Sequence, residues 1–109
     1  MSDRMLQINE KLQHKLAEIL SLRIEVPFDF FISVVRIDCS NDLKRAKAYL
    51  SILPFNKAED GLAYMINHKG EIQKLLGQNL NMKYTPILHY YLDETEEKTS
   101  QVYSAIEDI

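Results

Sequence analysis

The stretch NHKGEIQKLLG at residues 67–77 sets apolar residues at helical spacing and places Gly70 among them. A glycine in a helix interior costs roughly 1 kcal/mol relative to Ala, because it packs nothing and loses the most backbone entropy. Either one helix tolerates that defect or the chain turns there. The neighbours favour a turn: Leu62, Met65 and Ile66 come before it, and Ile72, Leu75, Leu76 and Leu80 after it. On one straight helix the two groups would point about 80° apart at ~100° per residue. A break near Gly70 removes that mismatch and yields two short helices.

Toward the N-terminus, Ser2 or Asp3 can cap a first helix in which Met5, Ile8, Leu12, Leu16, Ile19 and Leu20 form one stripe. Arg4, Lys11 and Lys15 fall within about 40° of one another beside it, so a basic strip flanks the core face. Pro27 stops any helical continuation and holds Val26 extended. FFISVVRIDC at 30–39 is rich in the β-branched and aromatic residues of a strand. SNDL at 40–43 is a turn signal. In AKAYLSIL at 46–53, Ala46, Ala48, Leu50 and Ile52 alternate with Lys47, Tyr49 and Ser51, as in a second strand that pairs back on the first and ends at Pro54.

Past Gly77 and Asn79, TPILHYYLD at 85–93 reads as a third strand, with Pro86 at its start, where no ladder hydrogen bond is lost. ETEEKTSQVYSAIEDI at 94–109 has early acids that suit a helix dipole and a weak stripe of Val102, Ala105, Ile106 and Ile109. The expected order is α-β-β-α-kink-α-β plus a C-terminal helix, one α+β domain over residues 1–109. Its three-stranded sheet is mixed, because the helix-pair crossover returns the third strand parallel to one of the first two, and its helices share one face.

A chain of 109 residues suits a single core, and 46% hydrophobic with 27% charged residues is ordinary soluble composition. No apolar run is long enough to span a bilayer, and the N-terminus lacks the apolar block of a signal peptide. The single cysteine, Cys39, excludes an internal disulfide and any Cys-rich zinc site, and fits a cytoplasmic protein. Residues 1–83 hold 12 Lys/Arg and 10 Asp/Glu, a balance of +2, whereas residues 84–109 hold 1 and 6, a balance of −5. A mildly basic body with an acidic tail can still meet phosphate, since local potential outweighs the total.

Catalytic constellations are missing. His14, His68 and His89 fall on different elements without metal-ligand spacing, and no nucleophile-elbow or phosphate-loop motif occurs. Cys39 follows core-like residues and reads as a buried thiol, and Asp38 and Asp42 read as turn caps. The expectation is no enzyme, no metal and no cofactor. Lys44, Arg45 and Lys47 near the hairpin, and Lys69, Lys74 and Lys83 near the helix pair, are interspersed with acids, so a solvated mixed surface competes with a nucleic-acid patch. The tyrosines can stack on bases or pack their rings at the core edge.

This order of elements, with Gly70 between two helices, resembles the KH domain of the helix-first type, whose GxxG loop admits a nucleic-acid backbone. Here the residues are His68-Lys69-Gly70. That variation resembles the bacterial ribosome-binding factor A family, which replaces GxxG by a small residue, any residue and Gly. SNDLKRAKAYLSIL at 40–53, GEIQKLLGQNLNMKYTPILHYYLD at 70–93 and the amphipathic first helix match it in order and spacing, over about residues 3–107. His68 stands where the family has Ala, Val26-Pro27-Phe28 replaces its Asp-Pro-Arg turn, and the net charge is acidic rather than basic.

The resemblance implies a monomeric, non-enzymatic assembly factor that binds the immature small ribosomal subunit. It would contact 16S rRNA near its 5′ end, promote late rRNA processing and maturation, and leave through an outside energy source, a GTPase. The RNA-binding residues it points to are His68, Lys69, Gly70 and Lys74 at the kink, and Arg4, Lys11 and Lys15 on the first helix. Arg36, Lys44, Arg45 and Lys47 on the hairpin form a third group. In this reading Gly70 is the residue at which the helix pair turns, so the fold needs it. The alternatives are an interhelical turn with no ligand and, from another class, a protein-interaction module using a free sheet edge and the acidic tail.

Overall fold

The computed structural model describes residues 3–93, and the C-terminal helix expected from residue 94 onward lies outside them. Helix α1 spans Asp3–Leu22, strand β1 Phe31–Cys39, strand β2 Arg45–Leu53, a 3-10 turn Phe55–Lys57, helix α2 Ala58–Asn67, helix α3 Lys69–Asn79 and strand β3 Ile87–Leu92. The sheet order is β1-β2-β3, with β1 antiparallel and β3 parallel to β2. This is the mixed sheet that the crossover argument requires, with β3 beside β2.

The helices cover one face. On α1, Leu12, Leu16, Ile19 and Leu20 are buried, with Met5 and Ile8 packed against the core. Ala46, Ala48, Leu50 and Ile52 are buried from β2, and α2 and α3 add Met65, Ile72 and Leu76. The small residues Ala46 and Ala48 let the helices lie close to the sheet. So does Gly61 on α2: a Cβ there would stand 2.7 Å from Ile52 Cγ2 and 2.8 Å from its Cδ1.

The β1–β2 register slips between Val34 and Arg36, leaving Val35 as a bulge. That extra residue shifts the alternation, so that Arg36 and Asp38 face solvent while Ile37 and Cys39 face the core. Helix α1 supports the irregularity: Gln13 Nε2 donates to the carbonyls of Val34 at 3.1 Å and Val35 at 3.2 Å. Asn9 Oδ1 accepts the Cys39 amide at 2.9 Å. From α3, Gln73 donates to Pro86 O at 2.8 Å and accepts the Leu88 amide at 3.2 Å. The Ile87 amide bonds Lys44 O on the β2 side, so the Leu88 amide points to the open edge of β3, and Gln73 blunts that edge.

The break between α2 and α3 is real but is not at Gly70. It sits at His68, with φ −104° and ψ 12°, and Gly70 is the second residue of α3. No described glycine has a positive φ, and a Cβ on Gly70 would meet nothing within 4 Å. The expectation that the fold needs glycine there is therefore corrected. The pair turns through the bridge region of backbone space, which any L-residue can adopt, and His68 absorbs the change of apolar direction.

Candidate nucleic-acid interface

Around the break, His68 acts as a brace. Its Nδ1 lies 2.8 Å from Tyr64 O, so this nitrogen carries the proton and donates, and only Nε2 is left for a ligand. Its ring stacks on Tyr64 with centroids 4.0 Å apart. Tyr64 in turn meets Phe30 edge-on at 6.1 Å, and its hydroxyl donates to Glu25 O beyond the end of α1. Burial, helped by nearby Glu71 and Glu25, pushes the Tyr64 hydroxyl above its ordinary range. Lys69, Gly70 and Lys74 are all exposed, and α3 opens at His68 without a side-chain cap. Amides in the first turn of a helix have no intrahelical acceptor, and with the dipole they favour an anion.

Arg4 and Lys11 lie toward the other end of α1. With ~1.5 Å of rise per residue, Arg4 is roughly 27 Å from the Leu22 end that Tyr64 and His68 brace. The two basic groups expected to bind RNA are thus separate surfaces. Lys15 stands one turn beyond Lys11 on α1, and its Nζ pairs with Glu18 at 3.5 Å. Such an exposed pair is worth little and yields readily to a phosphate.

Beside Arg4 and Lys11 runs a groove of about 540 Å³. Gln7 and Ile8 of α1 form one wall, the turn residues Asp42 and Leu43 another, and residues 81–84 the third. The turn is fixed. Ser40 Oγ lies 2.6 Å from Asp42 Oδ1, and the Lys44 amide donates to the same oxygen at 3.1 Å. Leu43 is held at φ 62°, the left-handed region a leucine seldom visits. The Ser40 hydroxyl and the Lys44 amide hold the Asp42 carboxyl below its usual range. Lys44 and Arg45 are exposed at this end of the molecule.

In the third expected group, Arg45 and Lys47 share the exposed face of β2 and line one shallow hollow with Asp38 and Asp42. Arg36 and Lys47 stand on the helix-free face of the sheet, where the Arg36 guanidinium carbon is 3.9 Å from the Tyr49 ring centroid. Tyr49 and Tyr91 rings are 5.8 Å apart, and Lys47 Nζ is 6.0 Å from the Tyr91 centroid. Among the described residues no group of three or more His, Cys, Asp or Glu is placed to hold a metal ion. Cys39 is buried, with burial first and then Asp38 and Asp42 raising its thiol. No described helix is long and apolar enough to cross a membrane.

Comparison with known proteins adds four findings. The family model described as ribosome-binding factor A matches residues 4–106. A ribosome-binding factor A of Opitutus terrae is 30% identical over 110 aligned positions, covering 100% of this chain and 89% of that protein. The crystal structure of ribosome-binding factor A from Thermus thermophilus superposes with a TM-score of 0.70 at 17% identity, covering 81% of this chain and 93% of that one. A Thermus thermophilus homology model of the same factor, fitted into a cryo-EM map of its complex with the 30S subunit, superposes with a TM-score of 0.64 at 20% identity, over 78% of this chain and 90% of that one. The structural likeness carries the fold, α+β with a three-stranded mixed sheet.

Proposed function

Because this chain belongs to the ribosome-binding factor A family, we propose that it is an assembly factor for the small ribosomal subunit. It binds the immature particle at 16S rRNA near the 5′ end, promotes late rRNA processing and maturation, and acts as a cytoplasmic monomer by binding alone, with no catalytic step. A GTPase supplies the energy for its release. The observation that carries the reading is Gly70. This exposed glycine in a regular helical turn has no neighbour that a methyl group would strike, so the fold gives no reason for it. A close approach of rRNA backbone to the first amides of α3, beside the Lys69 ammonium, supplies one. Arg4 and Lys11 add a second phosphate contact at the far end of α1, and Arg36, Lys44, Arg45 and Lys47 add charge along the hairpin.

Support also comes from the Thermus relative, which has been placed in a 30S complex. The test is co-sedimentation with immature and mature small subunits at two salt concentrations, with folded Lys69→Glu beside the wild type. Binding that prefers immature particles, weakens steeply with salt and is lost in Lys69→Glu is the expected result. Absence of binding to both particles refutes it and favours a protein-interaction module.

A further inference from the structure

We infer that the groove between the start of α1, the β1–β2 turn and residues 81–84 is a nucleotide subsite, which takes one unstacked nucleotide of a single-stranded RNA segment. The inference rests on the RNA-binding reading above and assigns the part of the RNA that this end of the molecule receives.

The groove's chemistry divides as a nucleotide's does. Ile8, Leu43 and Met82 supply an apolar floor, and the Tyr84 ring stands beside it, 70% exposed. A tyrosine that open gains little from its own fold, and its free face is a stacking surface for a base. Arg4, Lys11 and Lys83 bring three cations to the rim, and Lys83 Nζ is 5.5 Å from the Tyr84 ring centroid. A base stacked on Tyr84 therefore carries its phosphate toward Lys83 and the two α1 cations.

Among the described residues, Asp42 is the one carboxylate lining the groove. Its Oδ1 is engaged by the Ser40 hydroxyl and the Lys44 amide, which leaves Oδ2 to accept a hydrogen bond from a base amino group. A carboxylate repels phosphate, so this wall takes the base and the opposite rim takes the backbone. Uracil has no amino group to offer, so adenine and cytosine are preferred over it. The volume lies within the ~300–1,000 Å³ of small-ligand sites, and the held turn makes this wall preformed. Paired bases in an A-form stem are stacked inward and cannot enter, which selects single strands.

Amide chemical shifts of the full chain titrated with short oligoadenylate, oligouridylate, a blunt RNA duplex and AMP test the assignment. Oligoadenylate is expected to move the amides of Leu43 and residues 81–84 and to bind several-fold tighter than oligouridylate, duplex or AMP. Tyr84→Ala is expected to lower oligoadenylate affinity about fivefold or more, with Tyr84→Phe close to wild type. Three results overturn the subsite: shifts confined to the α2–α3 break, Tyr84→Ala binding as wild type, or duplex binding as tightly as single strand. AMP binding as tightly as oligoadenylate overturns the RNA source and makes the ligand a free nucleotide. Co-sedimentation separates the two readings. Groove binding to oligoadenylate without binding to small subunits refutes the assembly-factor reading alone, whereas subunit binding with an unchanged Tyr84→Ala refutes the subsite alone.

Discussion

Gly61→Ala and Gly70→Ala, chemically the same change in adjoining helices, should move stability in opposite directions. At Gly61 the new methyl would stand 2.7 and 2.8 Å from Ile52 Cγ2 and Cδ1, well inside contact distance. Ile52 is 3% exposed and β-branched, so it cannot rotate away without striking the core. Overpacking of that kind costs typically ~1–3 kcal/mol, and the gain in helix propensity returns at most about 1, leaving a net loss of roughly 0–2 kcal/mol. At Gly70 the methyl meets nothing within 4 Å, on helical backbone. Reduced entropy of the unfolded chain then stabilises by about 0.4–1 kcal/mol. For a domain of this size ~1 kcal/mol shifts Tm by roughly 4–8 °C, within reach of thermal unfolding followed by circular dichroism. If Gly70→Ala destabilises the chain as much as Gly61→Ala does, the helix pair turns at Gly70 and the account of the break is wrong.

Three further outcomes are expected. The Tyr90 hydroxyl has no hydrogen-bond partner among the described residues and is forced well above its ordinary range by burial, so Tyr90→Phe should raise stability by about 1 kcal/mol, read from the denaturant midpoint. In the wild type, unfolded Tyr90 ionises first, so stability should fall as pH rises through 10, and Tyr90→Phe should flatten that limb. The Asp42 carboxyl is depressed in the folded state by Ser40 and Lys44, so its contribution is present above its ordinary value of 3.8 and lost as pH falls. The stability gap between wild type and Ser40→Ala should accordingly narrow on acidification, leaving the part due to the Arg45 amide that Ser40 Oγ also accepts, and a constant gap across that range would contradict the assignment. Deleting residues 95–109, the acidic tail outside the described residues, should tighten RNA binding if the tail competes for the basic strip; equal affinity in a folded deletion would dismiss competition.

Much of the fold was legible because burial and period coincide. The α1 stripe, the alternation on β2 and Pro86 at the head of β3 each had one arrangement that hides apolar surface. The bulge at Val35 was not legible, since Val34, Val35 and Arg36 read as unbroken strand, and its support comes from Gln13 on another element. The exact position of the break is not legible, because Gly70 is the turn signal in the sequence, whereas the bridge-region turn lies two residues earlier at His68 and needs no glycine. Of the candidate site, Arg4 and Lys11 were legible as a strip by helical geometry. The groove they border was not, because its other walls come from residues 42–43 and 81–84, far off in the chain. The pairing of Lys15 with Glu18 follows a spacing of three that the sequence displays, but only coordinates show it formed.

The most direct measurement is the affinity of Gly70→Ala for immature small ribosomal subunits, beside wild type, at equal salt. The account predicts a variant at least as stable as wild type that binds about tenfold or more weakly, because a methyl group now stands where rRNA backbone approaches the first turn of α3. Undiminished affinity in that stable variant would show that rRNA does not approach Gly70, and would contradict the claim that the opening of α3 is an RNA contact.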